Sequence, residues 1–313
     1  MIEYKVLSRK YRPKKLKEVI GQDFTVRTLT NAFAKEKLAH AFLFTGIRGV
    51  GKTTIARIIA MGLNCETENK PTANPCGICS NCKAILQDRY EDVLEIDAAS
   101  NTGVDDVREI ISSLKYRPSK GSYKVFIIDE VHMLSNSAFN ALLKTIEEPP
   151  SFVKFIFCTT EMQKIPITIV SRCQKYNLNR VTLTAICNYL EEIAELEKLN
   201  ISKEAIAVIA RNSEGSIRDS LTILDQCILS FDNENIGVEN VNQTMGLTSQ
   251  SFLLDLYTNI VNGDIINANK VLHNIYKNGA APKQIIDDLL NVTYSLISSL
   301  AANTNIEIYE KDK

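Results

Sequence analysis

The stretch GIRGVGKTTIARIIA, residues 46–60, decides the fold of this chain of 313 residues. Two glycines separated by four residues and followed by Lys-Thr have the spacing of a phosphate-binding loop. The apolar run AHAFLFT before the loop predicts a buried strand, and the apolar residues after it recur at helical spacing. Strand, glycine loop and helix N-terminus are the context that such a loop requires, although a simple glycine turn capping a helix has the same outline.

The glycine loop, residues 46–51, and the helix that follows predict a site for a nucleoside triphosphate. Glycines let several backbone N–H groups converge on one anion, and the helix N-terminus adds further N–H groups and its positive dipole end. A lysine at the end of the loop reaches the outer phosphates, and the next hydroxyl binds Mg²⁺. The residues predicted to bind nucleotide here are Gly46, Gly49, Gly51, Lys52, Thr53 and Thr54.

Further strands downstream predict a parallel sheet. A strand-like run at 90–100 and the apolar runs ending at Asp129-Glu130 and at Thr159-Thr160 alternate with amphipathic segments at 103–116 and 135–148. Ligands of such sheets bind at the carboxyl ends of the strands, so these residues should converge on the glycine loop. Asp129 would hold Mg²⁺, Glu130 would polarise the attacking water, and Thr160 or Thr159 would sense the γ-phosphate. Paired acids that only end a strand are the alternative.

Composition limits the class of protein. The chain is 45% hydrophobic and 23% charged, with a net charge of -1, so any contact with nucleic acid must come from a local patch. At this length two or three domains are expected. No apolar run reaches membrane-spanning length, and no apolar segment follows the basic N-terminus as in a signal peptide. We therefore expect a soluble protein.

Four of the eight cysteines cluster in CETENKPTANPCGICSNC, residues 65–82. The pattern Cys65, Cys76, Cys79 and Cys82 favours a tetrahedral, structural zinc site, because four thiolates leave no open position for catalysis. An iron–sulfur cluster or a redox pair would use similar spacing. The other four cysteines, expected to be reduced and largely buried, are Cys158, Cys173, Cys187 and Cys227.

The second half of the sequence is predicted to be helical. Amphipathic segments lie at 182–199, 202–213 and 216–230, and three more at 251–263, 265–279 and 282–303. The polar stretch 232–246 between the two groups predicts a domain boundary.

Several motifs together resemble the tau/gamma subunits of bacterial DNA polymerase III, which are clamp-loader ATPases of the AAA+ superfamily. The resemblance covers residues 8 to about 230 and is weaker beyond them. The motifs that carry it are SRKYRPKKLKEVIGQ, GIRGVGKTT, the cysteine cluster, IIDEVHML, NALLKTIEEPP, TTEMQKIPITIVSRC and GSIRDSL.

The resemblance implies a three-domain α/β architecture. An AAA+ nucleotide-binding domain with a parallel sheet would span 1–178, with the zinc module 65–82 inserted. A small helical lid domain would span 179–242, and a helical collar domain that assembles the oligomer would span 243–313. This collar is shorter than the family's, and the tau extension that grips polymerase and helicase is absent, so self-assembly and those partners are left open.

The resemblance also assigns individual residues. Arg172 of SRC resembles the arginine finger that enters the site of a neighbouring subunit, and Arg218 of GSIRD resembles the lid sensor that touches the γ-phosphate. Without the resemblance, both would be read as solvated surface arginines. The N-terminal residues that would bracket adenine and ribose, although a solvated basic tail is the alternative for the charged ones, are Arg9, Tyr11, Arg12, Pro13, Val19 and Ile20.

The implied function is that of an ATPase motor that loads the sliding clamp on primed DNA, with ATP, Mg²⁺ and Zn²⁺ as cofactors. The implied partners are delta-type and delta-prime-type clamp-loader subunits, copies of the chain itself, the sliding clamp and primer-template DNA, in the bacterial cytoplasm. A branch-migration helicase type of AAA+ ATPase is the alternative.

Overall fold

The computed structural model describes residues 4–67, 70–100, 103, 111–114, 116–231, 235–245, 250–277 and 282–302. Most of the helix predicted at 103–116 lies outside these residues, as do two positions of the cysteine segment. The chain forms two compact units, Met1–Lys198 with Ile209–Asp225, and Leu199–Val208 with Gln226–Lys313. The domain boundaries expected at 178 and 242 stay predictions.

The first unit is built on a five-stranded sheet in which every pair of neighbours is parallel, as the sequence predicts. The strand order is β2-β3-β4-β1-β5, so the strand before the glycine loop lies between β4 and β5. The strands are β1 Ala41–Thr45, β2 Val93–Asp97, β3 Lys124–Asp129, β4 Val153–Thr159 and β5 Gln174–Asn177.

Apolar side chains cover both faces of this sheet. Along β1, Phe42 and Phe44 pack into one buried cluster, whereas Ala41 and Leu43 pack into the other. Every residue of β4 is buried, as expected of a central parallel strand. Each fully buried large side chain contributes about 1.5–3 kcal/mol, so this core holds the carboxyl ends of the strands in fixed positions.

Helices flank the sheet, and the helix that follows the glycine loop packs in the same cluster as Phe42 and Phe44. Ser135 caps the helix predicted after β3, because its hydroxyl accepts the N–H of Ala138 at 3.2 Å. Single 3₁₀ turns lie at Leu16–Glu18, Val131–Met133 and Met162–Lys164. The helices are α1 Leu7–Lys10, α2 Asp23–Ala34, α3 Lys52–Asn64, α4 Ser80–Leu86, α5 Asn136–Glu147, α6 Ile167–Val170 and α7 Leu183–Glu197.

Strand β5 was not among the predicted strands. It has four residues, of which Tyr176 alone is buried, and it pairs with β1 at the edge of the sheet. An edge strand with one buried side chain carries no apolar run, so its place is decided by pairing with β1 and by the packing of Tyr176 against Phe44.

The rest of the chain is helical, and the three helices expected after residue 250 are present. In the second unit Leu256, Ile275 and Ile285 form a small buried cluster. A helix also forms within the polar stretch 232–246, where Val241 is its buried residue. No helix in the described ranges is long and apolar enough to cross a membrane. These helices are α8 Lys203–Asn212, α9 Ile217–Ser230, α10 Val238–Met245, α11 Gln250–Val261, α12 Ile265–Lys277 and α13 Pro282–Ala302.

Candidate nucleotide site and metal centre

The glycine loop needs glycine at two positions for different reasons. Gly51 has φ +106° and is the N-cap of α3, a conformation that residues with a Cβ rarely adopt. Gly49 has φ +79°, and a Cβ there would lie 1.9 Å from the hydroxyl oxygen of Ser216. The segment before α9 therefore approaches the loop backbone as closely as glycine allows.

Lys52 is 5% exposed at the first position of α3. Its ammonium donates to the carbonyl oxygens of Gly46 at 2.8 Å and Ile47 at 2.9 Å. Burial lowers the pKa of Lys52, and the nearby carboxylate of Glu130 opposes that effect. Phosphate oxygens entering the loop would replace weak neutral acceptors with charged ones, so the ammonium is ready to exchange partners.

Thr53 and Asp129 meet across the space between α3 and the end of β3. The Thr53 hydroxyl donates to Asp129 Oδ2 at 2.6 Å. A hydroxyl and a carboxylate at the mouth of a phosphate loop are oxygen ligands of the kind that Mg²⁺ prefers, so the donor set fits this ion. Thr54, the next residue of the same helical turn, is half-buried.

Glu130 follows in a left-handed backbone conformation, with φ +45°. This conformation is strained for a residue with a side chain, and such strain is often found where a fold aims a functional group. The Thr160 hydroxyl donates to Glu130 Oε2 at 3.1 Å. Lys52, Thr53, Asp129, Glu130 and Thr160 together are called the sheet-edge site below.

The structure separates the two threonines that the sequence left as alternatives. Thr159 is fully buried, its hydroxyl lies 3.0 Å from His132 Nδ1, and it accepts the N–H of Glu161 at 3.0 Å. Thr160 is exposed and bonds to Glu130. Of the two hydroxyls, that of Thr160 is the one open to a ligand.

His132 is a site residue that the sequence reasoning missed. Its side chain is 6% exposed and lies between two carboxylates, 3.5 Å from Glu130 Oε2 through Nδ1 and 3.3 Å from Glu161 Oε1 through Nε2. The string DEVH holds its signal, a histidine two residues after Glu130 and within the 3₁₀ turn Val131–Met133, but no periodicity marks that histidine as a site residue.

Three further predicted residues lie around the glycine loop. The N–H of Arg218, in the first turn of α9, points at the Gly49 carbonyl at 3.4 Å. Val19 is buried, and its methyl group lies 3.8 Å from the position of a Cβ at Gly51. Burial, together with the charges of Arg57 and Arg218, lowers the pKa of Arg12. The charge of Arg57 is balanced by ion pairs with Glu95 at 2.6 Å and Asp88 at 3.0 Å, so the positive charge offered to a polyanion here comes from Arg12 and Arg218.

Arg172 has different surroundings. It lies between α6 and β5, where its guanidinium donates to the carbonyl oxygen of Thr168 at 2.8 Å and pairs with Glu147. A third of its side chain is exposed. The described contacts of Arg172 thus join it to α5 and α6 and leave it accessible to another molecule.

The four clustered cysteines lie at the far end of α3. Their sulfur atoms, one each from Cys65, Cys76, Cys79 and Cys82, all lie within 4.8 Å of one another. Four thiolates around a single zinc ion, at about 2.3 Å from the metal, form a tetrahedron with an edge of about 3.8 Å. The cluster therefore fits one mononuclear ion, whereas a multi-iron cluster spreads its ligands around several metal atoms.

Backbone N–H groups support the sulfurs. Burial alone would raise the pKa of Cys76, but N–H groups of Ile78 at 3.5 Å and Cys79 at 3.3 Å hold that pKa at about 6. Burial raises the pKa of Cys82. A metal ion binds cysteine as the thiolate. The N–H donors therefore prepare Cys76 as a ligand, whereas the buried Cys82 becomes a thiolate only when a cation compensates its charge.

Three protein-family descriptions match successive parts of the chain. "DNA polymerase III, delta subunit" matches residues 21–182, and "DNA polymerase III clamp loader subunit, ATPase lid domain" matches 185–232. "DNA polymerase III subunits gamma and tau domain III" matches 236–313. The three matches follow one another along the chain, and all three descriptions name DNA polymerase III.

Curated relatives carry the same names. The chain is 42% identical over 289 residues to DNA polymerase III subunit tau of Bacillus subtilis, covering 92% of this chain and 51% of that protein. It is 45% identical over 269 residues to the Escherichia coli tau subunit, covering 85% and 41%. For the gamma subunit of Buchnera aphidicola (subsp. Baizongia pistaciae), the values are 43% over 266 residues, 85% and 71%. The chain thus spans about half the length of the tau subunits.

Among solved structures, the chain is similar to the Thermotoga maritima RuvB Holliday junction branch migration motor. The TM-score is 0.56 at 23% identity, covering 80% of this chain and 79% of that one. At this identity the likeness shows a shared fold and nothing further about activity.

Proposed function

The chain belongs to the tau/gamma family of DNA polymerase III clamp-loader subunits, and from that premise we propose that it binds and hydrolyses ATP at the sheet-edge site. In this proposal it is the motor that places a sliding clamp on primed DNA. Its partners would be delta-type and delta-prime-type subunits, copies of itself, the clamp and primer-template DNA, at the replisome in the bacterial cytoplasm.

The observation that carries the proposal is the 2.6 Å bond between Thr53 and Asp129. It joins the helix after the glycine loop to the end of β3, beside the strained Glu130. A glycine turn that only capped a helix would not need a buried lysine, a hydroxyl and two acids at one point. This arrangement therefore supports hydrolysis as well as binding.

Each residue has a separate proposed task. The loop N–H groups and Lys52 hold the phosphates, and Glu130 orients a water molecule and polarises it towards the γ-phosphate. Thr160 exchanges its bond to Glu130 for one to that phosphate, which frees the Glu130 carboxylate when a triphosphate is in place. Thr53, with Asp129 beside it, would hold Mg²⁺, which would neutralise charge on the phosphates.

Arg172 is proposed to act on the site of a neighbouring subunit. Its position between α6 and β5 and its partial exposure support this role, because charge on the transferring phosphoryl group needs a donor that the loop does not provide. Arg218, beside Gly49, is proposed to act on the γ-phosphate of its own site. The cysteine cluster is proposed to bind a structural Zn²⁺, with no part in hydrolysis.

Two substitutions test the proposal in the assembled complex. Lys52→Ala should abolish most ATP binding, because it removes charge that the phosphates need in the ground state. Glu130→Gln should keep the affinity for ATP and lower hydrolysis by about 10² or more, the usual contribution of a positioned base. Fluorescent-nucleotide titration and phosphate release measure the two effects, and Glu148→Gln, which alters an exposed acid, is the control.

The proposal requires that Lys52→Ala affects ATP binding and that Glu130→Gln affects hydrolysis alone. Loss of binding with Glu130→Gln would show that the acid is a structural residue at the end of β3. Hydrolysis at the parent rate by Glu130→Gln would show that another group polarises the water. An affinity for ATP that survives Lys52→Ala would place the nucleotide away from the glycine loop.

A further inference from the structure

The N-terminal strap, residues 4–13, is tied to residues that lie about two hundred positions later in the sequence. The Tyr4 hydroxyl donates to Asp225 Oδ1 at 2.7 Å, and the N–H of Leu7 points at the same oxygen at 3.4 Å. Asp225 is 5% exposed, although Tyr4 itself is largely open to solvent. A buried carboxylate is costly unless donors compensate it, so these donors fix where the strap lies.

A second anchor holds the other half of the strap. Glu197, the last residue of α7, accepts the ammonium of Lys10 at 2.5 Å and also the hydroxyl of Tyr11. The Tyr189 hydroxyl, two turns earlier on the same helix, donates to the carbonyl oxygen of Tyr11 at 3.2 Å. Side chain and backbone of the strap are therefore both held by α7.

The strap leads directly to the glycine loop. Arg12 follows the second anchor and lies within electrostatic range of Arg57 on α3 and Arg218 on α9. A few residues later, Val19 packs against Gly51. A displacement of the strap would thus move Arg12 and the start of the segment that leads to Val19, without changing any residue of the loop.

Helix α9 joins the first anchor to the loop as well. Asp225 and Arg218 are seven residues apart on α9, which places them two turns and about 10 Å apart on the same face. The start of this helix contacts Gly49, and its third turn holds Tyr4 and Leu7. One rigid helix therefore touches the loop with one turn and the strap with another.

We propose that Asp225 and Glu197 are positioning residues that hold the strap against α7 and α9, and that through α9 and Val19, which touch the glycine loop, they set nucleotide affinity from outside the site. The inference rests on the proposed nucleotide binding and adds to it two residues that no phosphate-loop motif contains. Because the strap borders the site and does not touch the reacting atoms, its loss should weaken ATP and ADP binding alike and leave the saturated hydrolysis rate unchanged.

The test compares two variants of the full chain by titration with a fluorescent ADP analogue. Tyr4→Phe removes one hydroxyl from an exposed ring and should raise Kd about threefold. Glu197→Ala removes both bonds that Glu197 makes to the strap and should raise Kd about tenfold. Glu197→Gln keeps an acceptor for Tyr11 and should fall between parent and Glu197→Ala. The matched controls are Tyr116→Phe and Glu195→Gln, which alter exposed side chains of the same types.

Steady-state hydrolysis separates positioning from general damage. The proposal expects KM for ATP to rise in parallel with Kd while kcat stays within twofold of the parent. Unchanged Kd for both Tyr4→Phe and Glu197→Ala at unchanged melting temperature would overturn it, as would a kcat that falls as far as the affinity. A parent chain that binds no nucleotide would contradict the proposed function itself, which distinguishes the two failures.

Asp225→Ala gives a second measurement that does not depend on one substitution. The double variant Tyr4→Phe with Asp225→Ala should weaken binding no more than Asp225→Ala alone, because both changes break the contact between Tyr4 and Asp225. Additive effects on Kd would show that Tyr4 and Asp225 act independently, contrary to the proposal.

Discussion

The two ends of α3 carry two sites of opposite character. At its start, the buried Lys52 donates to two neutral backbone carbonyls and the Thr53 hydroxyl donates to Asp129, and each of these bonds can be exchanged for one to a ligand. At its end, Cys65 joins three other sulfurs that can all face one ion, and Asn64 is fastened on several sides. One helix thus connects a site that can exchange its ligand with a site that retains it. We call the start of α3, at Lys52 and Thr53, the open end, and its end, at Asn64 and Cys65, the closed end.

Asn64 shows how the closed end is fixed. Its side-chain amide donates to the Tyr123 carbonyl at 3.0 Å and accepts the Tyr123 N–H at 2.9 Å. Its own carbonyl accepts the Asn81 side chain at 3.0 Å. These buried bonds join α3 to the segment before β3 and to α4. The C-terminal end of α3 is therefore held in place when residues at its N-terminal end move.

The largest expected effect concerns the open end of α3, whose site is proposed to be completed by an arginine from a neighbouring subunit, whereas all four ligands of the closed end come from one chain. In the assembled complex, Arg172→Ala should lower hydrolysis on the order of 10³-fold, about 4 kcal/mol, because a missing arginine finger leaves transition-state charge uncompensated. Phosphate release measures the rate, and the zinc content should be unchanged. Arg117→Ala, which also removes an exposed guanidinium, is the control.

Mixed assemblies sharpen that prediction. An Arg172→Ala subunit and a Lys52→Ala subunit should restore activity only where an intact arginine faces an intact loop. An equal loss of hydrolysis by Arg172→Ala in the dilute monomer would mean that the arginine acts in its own subunit.

The second effect is on the closed end. Cys79→Ser should release one metal per chain and lower the melting temperature by roughly 5 °C or more, equivalent to about 2 kcal/mol, since metal binding is coupled to the folding of its ligands. Elemental analysis and calorimetry measure both. Nucleotide affinity should stay within about twofold, and a larger loss would mean that the ends of α3 are not independent. Cys187→Ser, a half-exposed thiol outside the cluster, is the control.

The third effect lies within the open end. His132→Ala should lower kcat about tenfold and leave KM for ATP nearly unchanged, because it removes one hydrogen-bonding group between Glu130 and Glu161. Steady-state kinetics of the assembled complex checks this. A rise in KM without a change in kcat would instead give His132 a part in binding, and His273→Ala, an exposed histidine on α12, should change neither.

The smallest effect is a pH dependence near the closed end. Burial alone would raise the pKa of Asp92, but the N–H groups of Ser119, Lys120 and Gly121, at 2.8–2.9 Å, hold that pKa below its ordinary value. A carboxyl whose pKa is lowered by folding stabilises above its unfolded pKa of about 3.9, and the stabilisation is lost as pH falls through the folded pKa.

Asp92→Asn should therefore cost about 1 kcal/mol at neutral pH and make the fall in melting temperature below about pH 4 shallower than in the parent. Thermal melts between neutral and acid pH measure this. Glu91→Gln, which alters the exposed neighbouring acid, should leave the curve in place. A parallel acid-side fall for Asp92→Asn and parent would mean that other carboxyls dominate.

Much of the sheet-edge site follows from sequence because each of its residues is adjacent to a regular element. Lys52 begins a helix with a clear apolar period, and Asp129 and Glu130 end an unbroken apolar run. Parallel strands place their carboxyl ends together, so the residues at which the apolar runs end are predicted to be neighbours in space. The cysteine spacing predicted the cluster in the same local way.

What escaped prediction depends on pairing between distant residues. Strand β5 has one buried side chain and forms because β1 offers an edge. Thr159 and Thr160 have identical side chains. The alternation of side chains at the end of β4 buries Thr159 and leaves Thr160 exposed, which determines the one that can meet a ligand. The contact of Asp225 with Tyr4 joins residues 221 positions apart, a separation at which periodicity carries no information.

The strand order has a consequence for communication between subunits. Strand β1 carries the glycine loop and is flanked by β4, which ends beside Thr160, and by β5, which begins just after Arg172. Under the proposed roles, the residue that reads the phosphate of one subunit and the residue offered to the next are therefore twelve positions apart on one short connection. Each subunit would then couple the state of its own nucleotide to the site of its neighbour through the short connection between β4 and β5.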